Sequence, residues 1–185
     1  MSYKEVLRLI PVVLLGFALA TGCGKKEEAE EEVTEMAAAQ AVAEMQPTTG
    51  NEAHGTVTFT ATDAGVQVQV HLEGVPAGPH GFHIHENGDC GDDGKAAGGH
   101  FNPEGKPHGA PDAAERHVGD LGNVTADANG VVDTTFVDAV LTFEGPNSIL
   151  GKAAILHSDA DDLTSQPTGA AGARIACGVI QASQN

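Results

Sequence analysis

From Gly55 onward the apolar residues fall on every second position: Val57, Phe59 and Ala61, then Val66, Val68 and Val70, with Asp63-Ala64-Gly65 between the two runs. A period of two sends successive side chains to opposite faces, so such a run buries a continuous face only as a β-strand. The short glycine-containing interruption makes the pair a hairpin. Further strand candidates are Gly81–Glu86, His117–Thr125, Val131–Ala139 behind the Asn129-Gly130 turn, Ser148–His157 and Arg174–Ala182. No long stretch of this region combines a helical period with caps. The predicted class is all-β, and so many short strands call for a sandwich or barrel rather than one flat sheet. Two segments, 87–116 and 158–173, break the strand rhythm and are read as long functional loops.

Potential metal ligands gather in and around these loops. In Phe82-His83-Ile84-His85 the alternation sends both imidazoles to one face and Phe82 and Ile84 to the other, assigned to the core. His157 ends another strand and His100 lies in the first loop, so His83, His85, His100 and His157 offer an all-nitrogen set. Neutral imidazole suits copper and zinc, and affinity in the divalent series peaks at Cu(II), which favours copper here. A second set, His100, His108, His117 and Asp120, matches closed tetrahedral zinc. A Gly- and Pro-rich loop gains order from such a staple. His100 falls in both sets and is expected to bridge the ions through its two ring nitrogens.

Gly81-Phe82-His83-Ile84-His85, Gly99-His100-Phe101-Asn102-Pro103, the run from Glu115 to Val124, and Ala176-Cys177-Gly178-Val179-Ile180 together resemble the copper,zinc superoxide dismutase family. The resemblance covers residues 54–185 and implies an eight-stranded, immunoglobulin-like Greek-key β-barrel. It implies copper on His83, His85, His100 and His157, and zinc on His100, His108, His117 and Asp120. It also implies superoxide disproportionation by Cu(II)/Cu(I) cycling, with His100 as proton donor and Arg174 orienting the anion. Asp161 matches the family's carboxylate between a copper histidine and a zinc histidine. Cys90 and Cys177 match its disulfide, Cys90 following Gly88-Asp89 as in bacterial members. The alternative is a non-enzymatic copper- or zinc-buffering module, although relatives of that kind lack a copper ligand or the arginine, and both are present here. The family includes monomers and dimers, so a homodimer is compatible with the sequence.

The N-terminus reads differently. Lys4 and Arg8 precede an apolar stretch, Leu9–Ala20, too short to span a bilayer, and residues 1–22 fit an export signal. Leu19-Ala20-Thr21-Gly22-Cys23 resembles a bacterial lipobox, which would make Cys23 a lipid-modified N-terminus anchored in a membrane of the cell envelope, facing the periplasm. Cys90 and Cys177 then remain as a pair in an oxidising compartment, for which a disulfide is the natural reading. Residues 23–53, rich in Glu and Ala and free of aromatics, are expected to be a tether, with the barrel starting at residue 54. The formal net charge is −17, of which −12 falls on residues 54–185, where only five Lys and Arg occur. Nucleic acid is therefore excluded as a partner, because a phosphate backbone is held by clustered cations.

Overall fold

The computed structural model describes residues 39–183. The expected export signal of residues 1–22, Cys23 and residues 24–38 lie outside them. The described residues form strands β1 (Gln40–Pro47), β2 (His54–Thr62), β3 (Gly65–Glu73), β4 (Gly78–His85), β5 (Asp120–Ala126), β6 (Val132–Asp138), β7 (Ala153–His157), β8 (Arg174–Val179) and β9 (Gln181–Ala182). One short 3-10 turn, Lys95–Ala97, is the only helical element among them. The spatial order is β5-β4-β7-β8-β1-β2-β3-β6, with β9 paired to β1, and every pairing of these strands is antiparallel. The ends of the path, β5 and β6, approach each other, so eight strands make a nearly closed barrel. The connections from β3 to β4 and from β6 to β7 cross the barrel rather than join neighbours, the Greek-key pattern.

Alternation decides the interior. Val57 and Phe59 of β2 and Val66, Val68, Val70 and Leu72 of β3 are buried, and Phe82 and Ile84 of β4 join them as expected. The expected strand across 174–182 is broken at Ile180, which is buried while β9 turns off to pair with β1.

The expected tether of 23–53 is corrected over its last part. Gln40–Pro47 is β1, a strand inside the barrel that pairs with β2, β8 and β9. Ala41, Ala43 and Met45 are fully buried at alternate positions, while Glu44 points outward. Alanine, glutamate and methionine favour helix locally, but pairing with sequence-distant neighbours overrides that preference. The barrel therefore begins well before residue 54. Ala53 is also buried, and the Thr48 hydroxyl donates to the Arg174 carbonyl at 2.8 Å, tying the β1–β2 turn to β8.

The disulfide joins Cys90 to Cys177, with Cα atoms 5.7 Å apart and a sequence separation of 87. It pins the loop after β4 to β8. In the chain-entropy model, closing a loop of that length is worth roughly 4–5 kcal/mol.

Candidate metal centre

Strand β4 carries His83 and His85, and its neighbour β7 ends at His157. His100 reaches them through the backbone: it forms a bridge with His85, while Phe101 N–H donates to the Ile84 carbonyl at 2.8 Å. Ile84 N–H in turn donates to Gly119 O at 2.9 Å, which draws the segment carrying His117 and Asp120 to the same place. Two groups of buried ligands result, His83, His85, His100 and His157, and His100, His108, His117 and Asp120, the candidate ligand atoms of each lying within 4.8 Å of one another. Both sets expected from sequence are thus assembled, and His100 belongs to both.

Outer hydrogen bonds fix which nitrogen of each ring faces inward. The Nδ1 of His85 lies 3.0 Å from Gly98 O and that of His157 lies 3.3 Å from Gly172 O. A carbonyl only accepts, so each Nδ1 carries the proton and each Nε2 presents a lone pair. Those two Nε2 atoms face each other at 3.3 Å. The carboxylate of Asp161 accepts from His83 Nε2 at 2.8 Å and from His108 Nε2 at 3.0 Å, leaving the Nδ1 of both rings as acceptors. Both of these Nδ1 atoms, together with His100 Nε2, are buried without a hydrogen-bond partner.

Lone pairs also crowd the second group. The Asp120 Oδ1 has His100 Nδ1 at 2.7 Å, His108 Nδ1 at 3.0 Å and His117 Nδ1 at 3.1 Å around it. Its other oxygen accepts from the backbone N–H of His117 at 2.8 Å and of Gly109 at 3.1 Å. His108 Nδ1 has no proton to offer Asp120, so two acceptors sit at contact distance in a buried site. Convergent buried acceptors without donors are unfavourable unless a cation lies between them. The residues present therefore fit metal ions in both groups, and the donor sets, all-imidazole and three imidazoles with one carboxylate, match copper and zinc.

Burial keeps three of these histidines, His85, His100 and His157, unprotonated. Burial lowers the His157 pKa to about 3, helped by His83, and lowers that of His100 to about 4 against the opposing Asp120 hydrogen bond. Burial, reinforced by His100, holds His85 well below its ordinary value. For Asp120 burial works in the opposite sense, but the hydrogen bonds from His100, His117 and Gly109 outweigh it and keep the carboxyl well below the usual range.

The sign of the resulting pH dependence is definite. Below about pH 6.5 the unfolded chain protonates these histidines while the folded chain does not, so stability falls as protons are added. For the metal-stripped chain the urea midpoint is expected to drop continuously from pH 6.5 toward pH 4. A flat midpoint over that range would contradict the burial argument.

Arg174 opens β8, beside His157 in the register. Its guanidinium donates to the carbonyls of Gly94 and Gly98, the latter at 2.5 Å, so it shares the Gly98 oxygen with His85. Partly buried, it has no carboxylate within ion-pairing distance among the described residues. Sequence reasoning did not identify the orienting carbonyls of Gly98 and Gly172, because a backbone oxygen leaves no residue-type signal. It also passed over Arg116, whose Nη1 donates to the carbonyls of His117, Val118 and Asp120 at 3.1–3.2 Å and whose Nη2 pairs with Asp138 at 2.6 Å. The only cue was a lone arginine beside His117. Gly169 packs so closely on Asp161 and His108 that a Cβ there would overlap both.

Comparison with known proteins agrees with this geometry. Residues 53–180 match the family described as copper/zinc superoxide dismutase (SODC). The chain is 48% identical over 134 residues to an extracellular Cu-Zn superoxide dismutase of Drosophila melanogaster, a match covering 68% of this chain and 74% of that one. It is 43% identical to the crystal structure of the clock protein EA4, with a TM-score of 0.70, covering 78% of this chain and 95% of that one. With the barrel, the buried ligand groups and a family match over most of its length, the chain belongs to the copper/zinc superoxide dismutase family.

Proposed function

We propose that the protein is an exported superoxide dismutase in which His83, His85, His100 and His157 hold copper, and His100, His108, His117 and Asp120 hold zinc. The observation that carries this reading is the position of His100. One buried ring directs Nε2 into one ligand group and Nδ1, 2.7 Å from Asp120, into the other.

When bound, copper supplies the one-electron couple by which one superoxide is oxidised to dioxygen and a second is reduced to hydrogen peroxide, while zinc keeps a single valence. The rest falls to the protein. Disproportionation consumes two protons per pair of superoxides, and His100 can hold one on Nε2 while Nδ1 stays fixed within the second group. Delivery from Nε2 to the departing peroxide is a general-acid step, with solvent supplying the other proton. Asp161 acts through the ligands: its two oxygens orient His83 and His108 and link the two groups. Arg174 uses part of its planar donor array on Gly94 and Gly98, leaving further N–H groups and a permanent charge for a small anion.

The N-terminal residues extend the reading. Residues 1–22 serve as export signal, Cys23 carries the lipid, and the residues from there to β1 tether the barrel to a membrane of the cell envelope. Pairing of Cys90 with Cys177, which leaves Cys23 as the remaining cysteine, supports this, as does similarity to an extracellular relative.

Metal analysis paired with a superoxide-consumption assay on the full chain tests both parts. Near-stoichiometric copper and zinc with rapid turnover, and membrane association lost in Cys23→Ser, are expected. Full occupancy without turnover would instead favour a metal-buffering module.

A further inference from the structure

His108 receives less support from its own stretch of chain than the other ligands do. His83, His85 and His157 stand on strands, and His100 forms a bridge with His85. His117 and Asp120 hold each other: His117 N–H donates to Asp120 Oδ2 at 2.8 Å, and Asp120 N–H donates to His117 O at 3.3 Å. His108 lies in the irregular stretch between the 3-10 turn and β5, behind Pro107, which has no N–H to offer. It is buried, yet among the described residues its main chain finds no backbone partner. One side chain, 58 residues away in sequence, serves both of its groups. His108 N–H donates to Gln166 Oε1 at 2.8 Å, and Gln166 Nε2 donates to His108 O at 2.9 Å. A side-chain amide carries donor and acceptor on one carbon, so it exchanges both bonds with a single residue, as an antiparallel neighbour would.

Gln166 is placed by its own turn. The Asp162 carboxylate accepts from Thr164 N–H at 2.9 Å and Ser165 N–H at 2.7 Å, Asp162 N–H donates to Gly169 O at 2.9 Å, and Gly169 N–H donates to Ser165 O at 2.7 Å. These bonds close residues 162–169, and the Gln166 amide leaves that turn toward His108. From the same segment Asp161 accepts from His108 Nε2 at 3.0 Å, and the Asp161 main chain is gripped by the Asn123 amide of β5 through bonds of 2.7 and 2.9 Å. His108 is thus held at two points, its ring by Asp161 and its main chain by Gln166, with Nδ1 3.0 Å from Asp120 Oδ1. Held by Asp161 alone, the ring is free to pivot about that contact, and a metal ligand needs direction as well as position.

We propose that Gln166 is a positioning residue of the second ligand group: its amide fixes the His108 main chain and so the direction from which Nδ1 meets the zinc. Gln166 touches no ligand atom and acts through His108. This rests on the reading above that His100, His108, His117 and Asp120 hold zinc.

The test is metal binding by the second group, on full-length protein whose first group is filled with copper(I), colourless and kept anaerobic. Zinc affinity is measured by competition with a chelator. Cobalt(II), which occupies zinc sites and absorbs visible light according to its ligand geometry, reports the shape of the site at saturation. Gln166 is exposed, so replacing it opens no cavity in the core. Gln166→Ala is expected to lower zinc affinity at least about tenfold and to change the saturated cobalt spectrum. Gln166→Met, which keeps the length and loses both hydrogen bonds, should lose as much. Recovery of affinity in Gln166→Met would assign the effect to packing and overturn the proposal. Weaker zinc binding with an unaltered cobalt spectrum would overturn it too, since support of the turn alone leaves the occupied site its shape. If wild type binds zinc and both variants match it in affinity and spectrum, Gln166 has no positioning role and the zinc reading stands. If wild type takes up no zinc, the reading of the second group fails and this inference falls with it.

Discussion

Replacing His157 with alanine is expected to abolish superoxide consumption while one metal ion stays bound. His157 belongs to one ligand group only, and His100, His108, His117 and Asp120 remain complete without it. Its backbone carbonyl still accepts from His80 Nδ1 at 2.8 Å, so the end of β7 keeps its anchor. Loss of an outer partner alone typically costs 10–100-fold in metal affinity or activity. Loss of a ligand is therefore expected to exceed about a hundredfold. Element analysis should find zinc retained near one equivalent and copper greatly reduced. Undiminished turnover, or loss of both metals together, would contradict the division of labour assigned to these groups.

Arg116→Leu is expected to be the most destabilising change outside the ligands. It strands the Asp138 carboxylate in the interior, where the Arg116 contact is 2.6 Å and both side chains are 5–6% exposed. It also removes the donor shared by the carbonyls of His117, Val118 and Asp120. Breaking a buried pair by deleting one partner costs about 3–5 kcal/mol, or roughly 10 °C for a domain of this size. Adding Asp138→Leu should recover part of the loss by removing the orphaned charge. Recovery should be incomplete, because the carbonyls have still lost the arginine donor and Asp138 Oδ1 also accepts from Val140 and Leu141 N–H. Urea unfolding of the metal-stripped, disulfide-intact protein measures each step. A cost below about 1 kcal/mol for Arg116→Leu would mean that water reaches this pair.

Some of this was legible in residue order because it depends on local periodicity or on residue type. Period two identified the hairpin of Val57 to Val70, since alternation alone decides which side chains a strand can bury. The ligands were visible as histidines and one aspartate, and His83-Ile84-His85 announced its geometry through strand alternation. β1 was missed for the complementary reason. Its inward residues are Ala41, Ala43 and Met45, which carry no strand preference, and what makes them a strand is pairing with β2 and β8, the latter about 130 residues away.

Residue types alone determined which atoms were available to the site: six imidazoles, the Asp120 carboxylate, an arginine and a pair of cysteines. The tertiary fold decided which nitrogen of each ring faces inward, because that follows from carbonyls of Gly98 and Gly172 and from Asp161, brought up from distant parts of the chain. It likewise decided that Gln166 meets the main chain of His108, since the turn 162–169 is folded against the stretch before β5. Periodicity is a property of neighbours along the chain, whereas tautomer, burial and field depend on neighbours in space.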